Sequence, residues 1–260
     1  MTRQARELSN TGIYHIIIRG NERKNVFQDS EDKQRFLDGI EAKKKDSSFL
    51  LYAYCLMDNH VHLLLNTYND NLAEIMKSIG VRYASFYNWK YHRVGHVFQD
   101  RFKSEPIEDD QYFLAVVRYI HNNPVKAGMI GNPADYGWSS FSKYIQPVSS
   151  TWLDTKFVLG LFANDHKAAV NEFVKFSMES DNIIFLDSED GKPIRTLEEG
   201  RAYLKEYFEN NLIVKEIRQI REDKQIRSEV INYLRATTGL SQRNIATLLE
   251  INKSTVERNK

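Results

Sequence analysis

Two histidines flank one valine in the stretch Asp58-Asn59-His60-Val61-His62-Leu63-Leu64-Leu65. Upstream, Phe49 to Met57 is a second apolar, aromatic-rich run. Met57-Asp58-Asn59 between them reads as a tight turn, because Asp and Asn tolerate the backbone angles a hairpin needs. On a strand, successive side chains alternate, so His60 and His62 share one face. Two imidazoles on one face can hold a divalent cation; they can equally pack or hydrogen-bond at a strand edge. Further along, Tyr119 and Asn123 stand four apart in Gln111–Asn123 and so share one helix face, a turn apart. Alone, such a pair is a partly buried aromatic and a capping amide. Together with the histidines it fits one chemistry. A tyrosine hydroxyl attacking a DNA phosphate splits a hard hydrolysis into two reversible transfers, and a divalent cation polarises the phosphodiester. Two imidazoles and an amide oxygen leave coordination positions for phosphate and water. Mixed nitrogen and oxygen ligands suit Mg²⁺ or Mn²⁺, the latter better matched to imidazole.

The surrounding patterns predict elements that would carry these groups. Gly12 to Gly20 is a β-branched run bounded by glycines, which signals a strand. A helix follows, capped by Asp29 or Ser30, with Phe36, Leu37 and Ile40 on its buried face. Lys43-Lys44-Lys45 suits the negative end of its dipole. After the hairpin, Asn71–His92 reads as a long helix. Its second half interleaves Arg82 and other basic residues with aromatics, a mixture able to stack bases and neutralise phosphates or to divide between core and solvated face. Gly95–Arg101 reads as a loop and Phe102–Glu108 as a short strand. A helix then runs from Gln111 to about Asn122, stopped by Pro124, with Phe113, Val116, Val117 and Ile120 inward. The order predicts an α+β domain: one antiparallel sheet with helices packed on it.

Beyond Tyr144 the pattern changes. Residues 145 to about 155 read as a linker, and Asp187–Pro193 as a polar break. Asp154–Phe162, Asp165–Glu179, Thr196–Asn210 and Gln225–Thr238 each show helical spacing. We therefore expect three segments: 1–145, a helical accessory segment 146–224, and 225–260. In the last, Ser241–Lys260 has helix-turn-helix spacing, with Ser241 capping the first helix, Ile251 filling the turn, and Asn252 or Ser254 able to cap the second. Lys253, Ser254, Thr255 and Arg258 would then face base edges. Glu250 stands where a glycine is common in the turn. Residues 201–260 carry 12 Lys and Arg against 8 Asp and Glu, whereas 151–200 carry 5 against 10, so the tail favours DNA.

Composition sets outer limits. The chain has 260 residues, a net charge of +1, 42% hydrophobic and 27% charged residues, which is the profile of a globular protein of one large domain or two. The single cysteine, Cys55, rules out an internal disulfide and a multi-cysteine zinc site. Met1–Ser9 is polar, unlike a secretory signal, and no apolar stretch approaches the roughly 20 residues of a membrane span, so a cytoplasmic location is expected.

Five stretches in fixed order carry a resemblance: Tyr14–Gly20 (YHIIIRG), Met57–Leu64 (MDNHVHLL), Phe98–Phe102 (FQDRF), Tyr119–Gly128 (YIHNNPVKAG) and Trp138-Ser139-Ser140. Over about residues 10–145 the chain resembles the single-tyrosine HUH transposases, in particular the REP-associated tyrosine transposases. The resemblance implies a ferredoxin-like fold, cleavage of single-stranded DNA near hairpins, and a covalent 5′-phosphotyrosine with a free 3′-OH. It implies that His60, His62 and the amide of Asn123 bind the metal and that Tyr119 is the nucleophile. Tyr112, two helical turns earlier, is a rival nucleophile. His121 and Asn122 lie beside the site but point away from it. Arg19, Arg23, Arg101 and Lys103 match basic positions suited to DNA phosphates. Family members include dimers that exchange the tyrosine helix and monomers with the site in cis, so a homodimer stays open. The leading reading is thus a metal-dependent DNA strand transferase. The alternatives are a domesticated DNA-hairpin-binding or regulatory protein that does not cut, and a water-using metal phosphoesterase with no need of Tyr119.

Overall fold

The computed structural model describes residues 6–146, 152–179, 185, 197–210, 217–238 and 240–259. The polar break at Asp187–Pro193 and most of the linker expected at 145–155 lie outside them. Contacts gather the chain into two units, Met1–Ile183 and Ile184–Lys260, a different cut from the three segments expected.

The first unit runs β1 (Ile13–Arg19), α1 (Ser30–Lys45), β2 (Leu50–Leu56), β3 (His60–Asn66), α2 (Leu72–Lys90), β4 (Lys103–Ile107) and α3 (Asp110–Lys126). The strands form one antiparallel sheet in the order β2-β3-β1-β4. The architecture is therefore mixed α+β, and the expected order of elements holds. β1 is bonded on both sides, and its run of isoleucines suits a central strand. Its even-numbered face, with Ile16 and Ile18, continues through Val61, Leu63 and Leu65 and packs under α1 and α2. Its odd-numbered face carries His15 and, in register, His60, His62 and Glu105, under α3.

Helix α1 starts where Asp29 accepts from the Asp32 amide at 3.0 Å. Of the lysines at its end, Lys44 is structural: it binds the Phe49 carbonyl at 3.0 Å and pairs with Asp154. In α2 the interleaved aromatics divide. Tyr83 and Tyr87 are buried, Trp89 is exposed, and Lys90 bridges Asp29, Glu31 and the fully buried Asp32 at 2.8 to 2.9 Å. Burial alone would lower the Lys90 pKa, but these carboxylates raise it.

Helix α3 does not stop at Pro124; it continues to Lys126. Proline removes only its own amide and so interrupts one helical bond, near the end. The true stop is Gly128, at φ 69°. The Met129 amide bonds the Pro124 carbonyl at 3.0 Å and the Gly128 amide bonds Val125 at 2.9 Å, the paired bonds that close a helix on a left-handed glycine. The expected inward residues of α3 are all buried, and so is its back, where α6 (His166–Met178) packs. There His121 donates to or accepts from the Ser140 hydroxyl at 2.7 Å among Phe141, Tyr144 and Phe173, and burial pushes its pKa down to about 3.

The β2 edge of the sheet is closed. Along β2, Leu51, Tyr54 and Leu56 exchange backbone bonds with Asp154, Ser140 and Trp138. Short helices α4 (Phe141–Ile145) and α5 (Thr155–Gly160) sit on this border. β4 carries Pro106, which has no N–H to offer.

The second unit is helical: α7 (Leu197–Asn210), α8 (Ile217–Glu222), α9 (Lys224–Thr237), α10 (Gln242–Leu248) and α11 (Lys253–Arg258). Leu204, Ile220, Val230, Leu234, Ile245, Leu249 and Val256 form its core, with Ile251 packed against it. Ser241 caps α10 at the Asn244 amide, 3.1 Å, as expected. Asn252 holds the cap position of α11 without a side-chain bond. Glu250, between the two, has φ 54°, a region where a side chain costs roughly 1 to 2 kcal/mol relative to glycine's ease. Among the described residues, no helix is long and apolar enough to cross a membrane.

Two stability outcomes follow from this packing. Lys90→Met strands the carboxylate of Asp32 in the interior, and a loss of about 2 kcal/mol is expected in urea unfolding. Glu250→Gly relieves the left-handed residue, offset by greater unfolded-chain entropy, and a gain of about 0.5 kcal/mol is expected. All three tryptophans lie before residue 184, so the Glu250→Gly shift should register in circular dichroism and leave the tryptophan fluorescence transition in place.

Candidate active site

The hairpin turn that presents His60 and His62 is held from below. Val26 and Phe27 amides bond the Asp58 carbonyl, and the Gly20 amide bonds the Asn59 carbonyl at 2.8 Å. Lys33, buried in α1, reaches the Asp58 carboxylate at 2.8 Å. Gly20 must be glycine, since a Cβ there would collide with the Lys24 carbonyl and the Val26 side chain. Glu22 and Arg23 both take positive φ, 53° and 59°. In that conformation the Arg23 carbonyl accepts from Asn59 Nδ2 at 3.3 Å.

His60 and His62 lie side by side, ring centroids 4.9 Å apart and near-perpendicular. His62 is fully buried, His60 partly exposed. Burial, reinforced by His60, His15 and Arg19, holds the His62 pKa well below its usual value, so the ring is neutral. α3 lays Tyr119 against His62 and His15, its ring 5.7 Å from His62 and 5.9 Å from His15, edge-on to both. Lys126, in the extra turn of α3, puts its ammonium 4.7 Å from the Tyr119 ring centre. Asn123 lies one turn beyond Tyr119. Its amide nitrogen bonds the Tyr119 carbonyl at 3.2 Å, so its oxygen is the end not engaged with the helix.

Two residues that the sequence reading left without a role belong to this cluster. His15 Nε2 meets His62 Nδ1 at 3.2 Å, and His15 Nδ1 meets Glu105 Oε2 at 3.4 Å. Tyr112 donates to Glu105 Oε1 at 2.9 Å. Desolvation and the Glu105 charge push the Tyr112 phenol above its usual pKa, which opposes its use as a nucleophile. The signal for His15 was present in the Tyr-His start of the YHIIIRG stretch. The signal for Glu105 was not, because nothing in spacing pairs β4 with β1. His121 and Asn122 do point away: the Asn122 amide bonds the Ser177 carbonyl, behind α3, at 2.8 Å.

The basic candidates are spread. Arg19 faces His60 in register and Lys103 faces Ile17, both on the histidine side of the sheet. Arg23 is at the hairpin rim. Arg101 lines a cleft with Ile18 and Met76. Arg82 is on α2, on the opposite face, its stem beside Gly39 of α1. Lys253 pairs with Glu257 at 2.9 Å, Arg258 bonds the Ser254 carbonyl at 3.1 Å, and Ser254 and Thr255 open α11, all in the second unit.

Residues 9–123 match the family model "Transposase IS200 like". A solved structure of a REP-associated tyrosine transposase bound to a REP hairpin matches with a TM-score of 0.51 at 18% identity, over 72% of this chain and 96% of that one. At that identity the likeness establishes the fold. A candidate transposase from Deinococcus radiodurans R1 matches at a TM-score of 0.33 and 20% identity, over 46% of this chain and 97% of that one. No curated protein matches the chain.

Cys55 lies opposite His62 in the β2–β3 register and is fully buried, which pushes its thiol pKa up. It should resist a thiol reagent in the native protein and react at the rate at which this strand pair opens. Rapid native labelling would mean a far looser hairpin than the packing describes.

Proposed function

We propose that the first unit cleaves and rejoins single-stranded DNA beside hairpins, with Tyr119 as nucleophile. The observation that carries this is the Tyr119 ring laid against the buried His62 of the hairpin, with the Lys126 ammonium beside it. The sheet order β2-β3-β1-β4 with two β-α-β crossovers supports a ferredoxin-like assignment, and the hairpin-bound relative supports the substrate.

In this reading Tyr119 Oη forms a bond to phosphorus and the bond to the 3′ oxygen breaks. The 3′ oxygen takes up a proton and departs as a hydroxyl, and the 5′ phosphate stays on the tyrosine. Because a phosphoester is exchanged for a phosphoester, an incoming 3′-OH can reverse the step and join a different strand. Lys126 places positive charge where negative charge develops. The donor set fits a hard-to-borderline cation: two imidazoles, and the amide oxygen of Asn123. Among the described residues, no three His, Cys, Asp or Glu side chains form a metal cluster, so an amide and phosphate oxygens would complete the shell. Mg²⁺ or Mn²⁺ held there would polarise the scissile phosphate. Arg19, Arg23 and Lys103 would hold phosphates along the histidine side and rim; Arg101, in the cleft with Ile18 and Met76, and Arg82 would serve DNA only across the sheet. The α10–α11 pair reads as a short helix-turn-helix for duplex DNA, led by Lys253, Ser254, Thr255 and Arg258.

The test is a labelled hairpin with a single-stranded flank, incubated with Mn²⁺ or Mg²⁺ and resolved on a denaturing protein gel. The wild type should give a metal-dependent covalent adduct. Tyr119→Phe should lose it by about 10³-fold or more while binding the hairpin as before. An adduct that survives in Tyr119→Phe and disappears in Tyr112→Phe would move the nucleophile. Binding with no adduct from any form would leave a hairpin-binding protein.

A further inference from the structure

The two histidines of the hairpin are oriented by quite different partners, and the chemistry of those partners dictates where each imidazole keeps its proton. A carboxylate has no hydrogen to give, so His15 Nδ1 is the donor in the 3.4 Å contact with Glu105. A neutral imidazole protonated at Nδ1 can only accept at Nε2. With His15 in this neutral form, the 3.2 Å bond between His15 Nε2 and His62 Nδ1 is donated by His62. That leaves His62 Nε2 as a lone pair. Tyr112, donating to the other Glu105 oxygen at 2.9 Å, fixes the carboxylate at the far end.

His60 reaches the same state by another route. Its Nδ1 meets Asn59 Oδ1 at 2.6 Å. An amide can be turned either way, but here Nδ2 already donates to the Arg23 carbonyl at 3.3 Å. The oxygen must therefore face His60, His60 Nδ1 carries the hydrogen, and Nε2 is again the lone pair. The left-handed backbone at Arg23 is what brings that carbonyl under Asn59.

We propose that Glu105 and His15 on one side, and Asn59 with the Arg23 carbonyl on the other, are positioning groups that lock His60 and His62 in the Nδ1–H tautomer, the form whose Nε2 lone pair a divalent cation binds. The reading of these histidines as metal ligands is the one given above, and this inference rests on it only for its use. Neutral imidazole in water favours the opposite, Nε2–H form, so the lock works against a default. Partners of this kind raise ligand basicity and spare the metal the cost of reordering the rings, and losing one typically weakens metal binding about 10- to 100-fold.

The experiment is long-range ¹H–¹⁵N correlation on the full chain with ¹⁵N-labelled histidine, free of metal. His60 and His62 are assigned by single substitution, and Mn²⁺ affinity is titrated in parallel. The wild type should show both rings as Nδ1–H. His15→Phe keeps a ring of similar bulk stacked on His62 but removes the acceptor. It should return His62 alone to the Nε2–H form and weaken Mn²⁺ binding about 10- to 100-fold. Should that variant fail to fold, Glu105→Gln keeps the shape but no longer imposes one direction, and His62 should show both tautomers. Asn59→Ala should move His60 and leave His62 unchanged. An Nε2–H signal for His62 in the wild type, or a His62 tautomer indifferent to both His15→Phe and Glu105→Gln, overturns the proposal. Both tautomers as described but no Mn²⁺ uptake would retain the relays and sink the metal reading; Mn²⁺ uptake with the wrong tautomers would do the reverse.

Discussion

The pairing of β1 on both of its sides is the constraint on which the site depends. His15, His62 and Glu105 come from three strands and meet only because β3 and β4 flank β1 in one particular register. Side chains alternate along a strand, so a slip of one residue would send every one of these groups to the face beneath α1 and α2. That face is wholly apolar at Ile16, Ile18, Val61, Leu63 and Leu65. A slip would bury imidazoles and a carboxylate among isoleucines and leucines and expose those apolar chains to the site. The hydrophobic face thus fixes the register, and the register builds the polar face.

The helix that supplies the tyrosine is fixed just as firmly from behind. α3 is buried against the sheet in front and against α6 at its back, where His121, Arg118 and Asn122 each find partners. Arg118 bonds the Phe176 carbonyl at 3.2 Å with its guanidinium over the Phe176 ring. A reacting group gains most from being held within a narrow range of positions, and a helix gripped on two sides supplies that.

Much of this was legible in sequence, and the exceptions have physical causes. The hairpin, the shared face of His60 and His62, the helix carrying Tyr119 and Asn123, and the mixed α+β order are all local periodicities, and local periodicity survives into the fold. The helix end was misread because proline is a loud signal and a glycine four residues later a quiet one, yet a proline near the last turn costs only one bond. Arg82 was grouped with DNA contacts by its aromatic neighbours, but Tyr83 and Tyr87 beside it are core, and the helix lies across the sheet from the histidines. His15 and Glu105 escaped because their relation is one of strand register across 90 positions, which no spacing rule encodes. The Glu250 turn was visible as an oddity, a side chain where glycine is usual, and the backbone there is indeed left-handed.

The closed β2 border has a consequence for how this molecule meets other chains. An open strand edge is a template on which any other extended chain can dock, and it is the commonest starting point for β-rich aggregates. Here the outer amides and carbonyls of β2 are occupied by Trp138, Ser140 and Asp154, and β4 is interrupted by Pro106. The same Trp-Ser-Ser segment that steadies His121 therefore also denies neighbouring chains a lateral foothold.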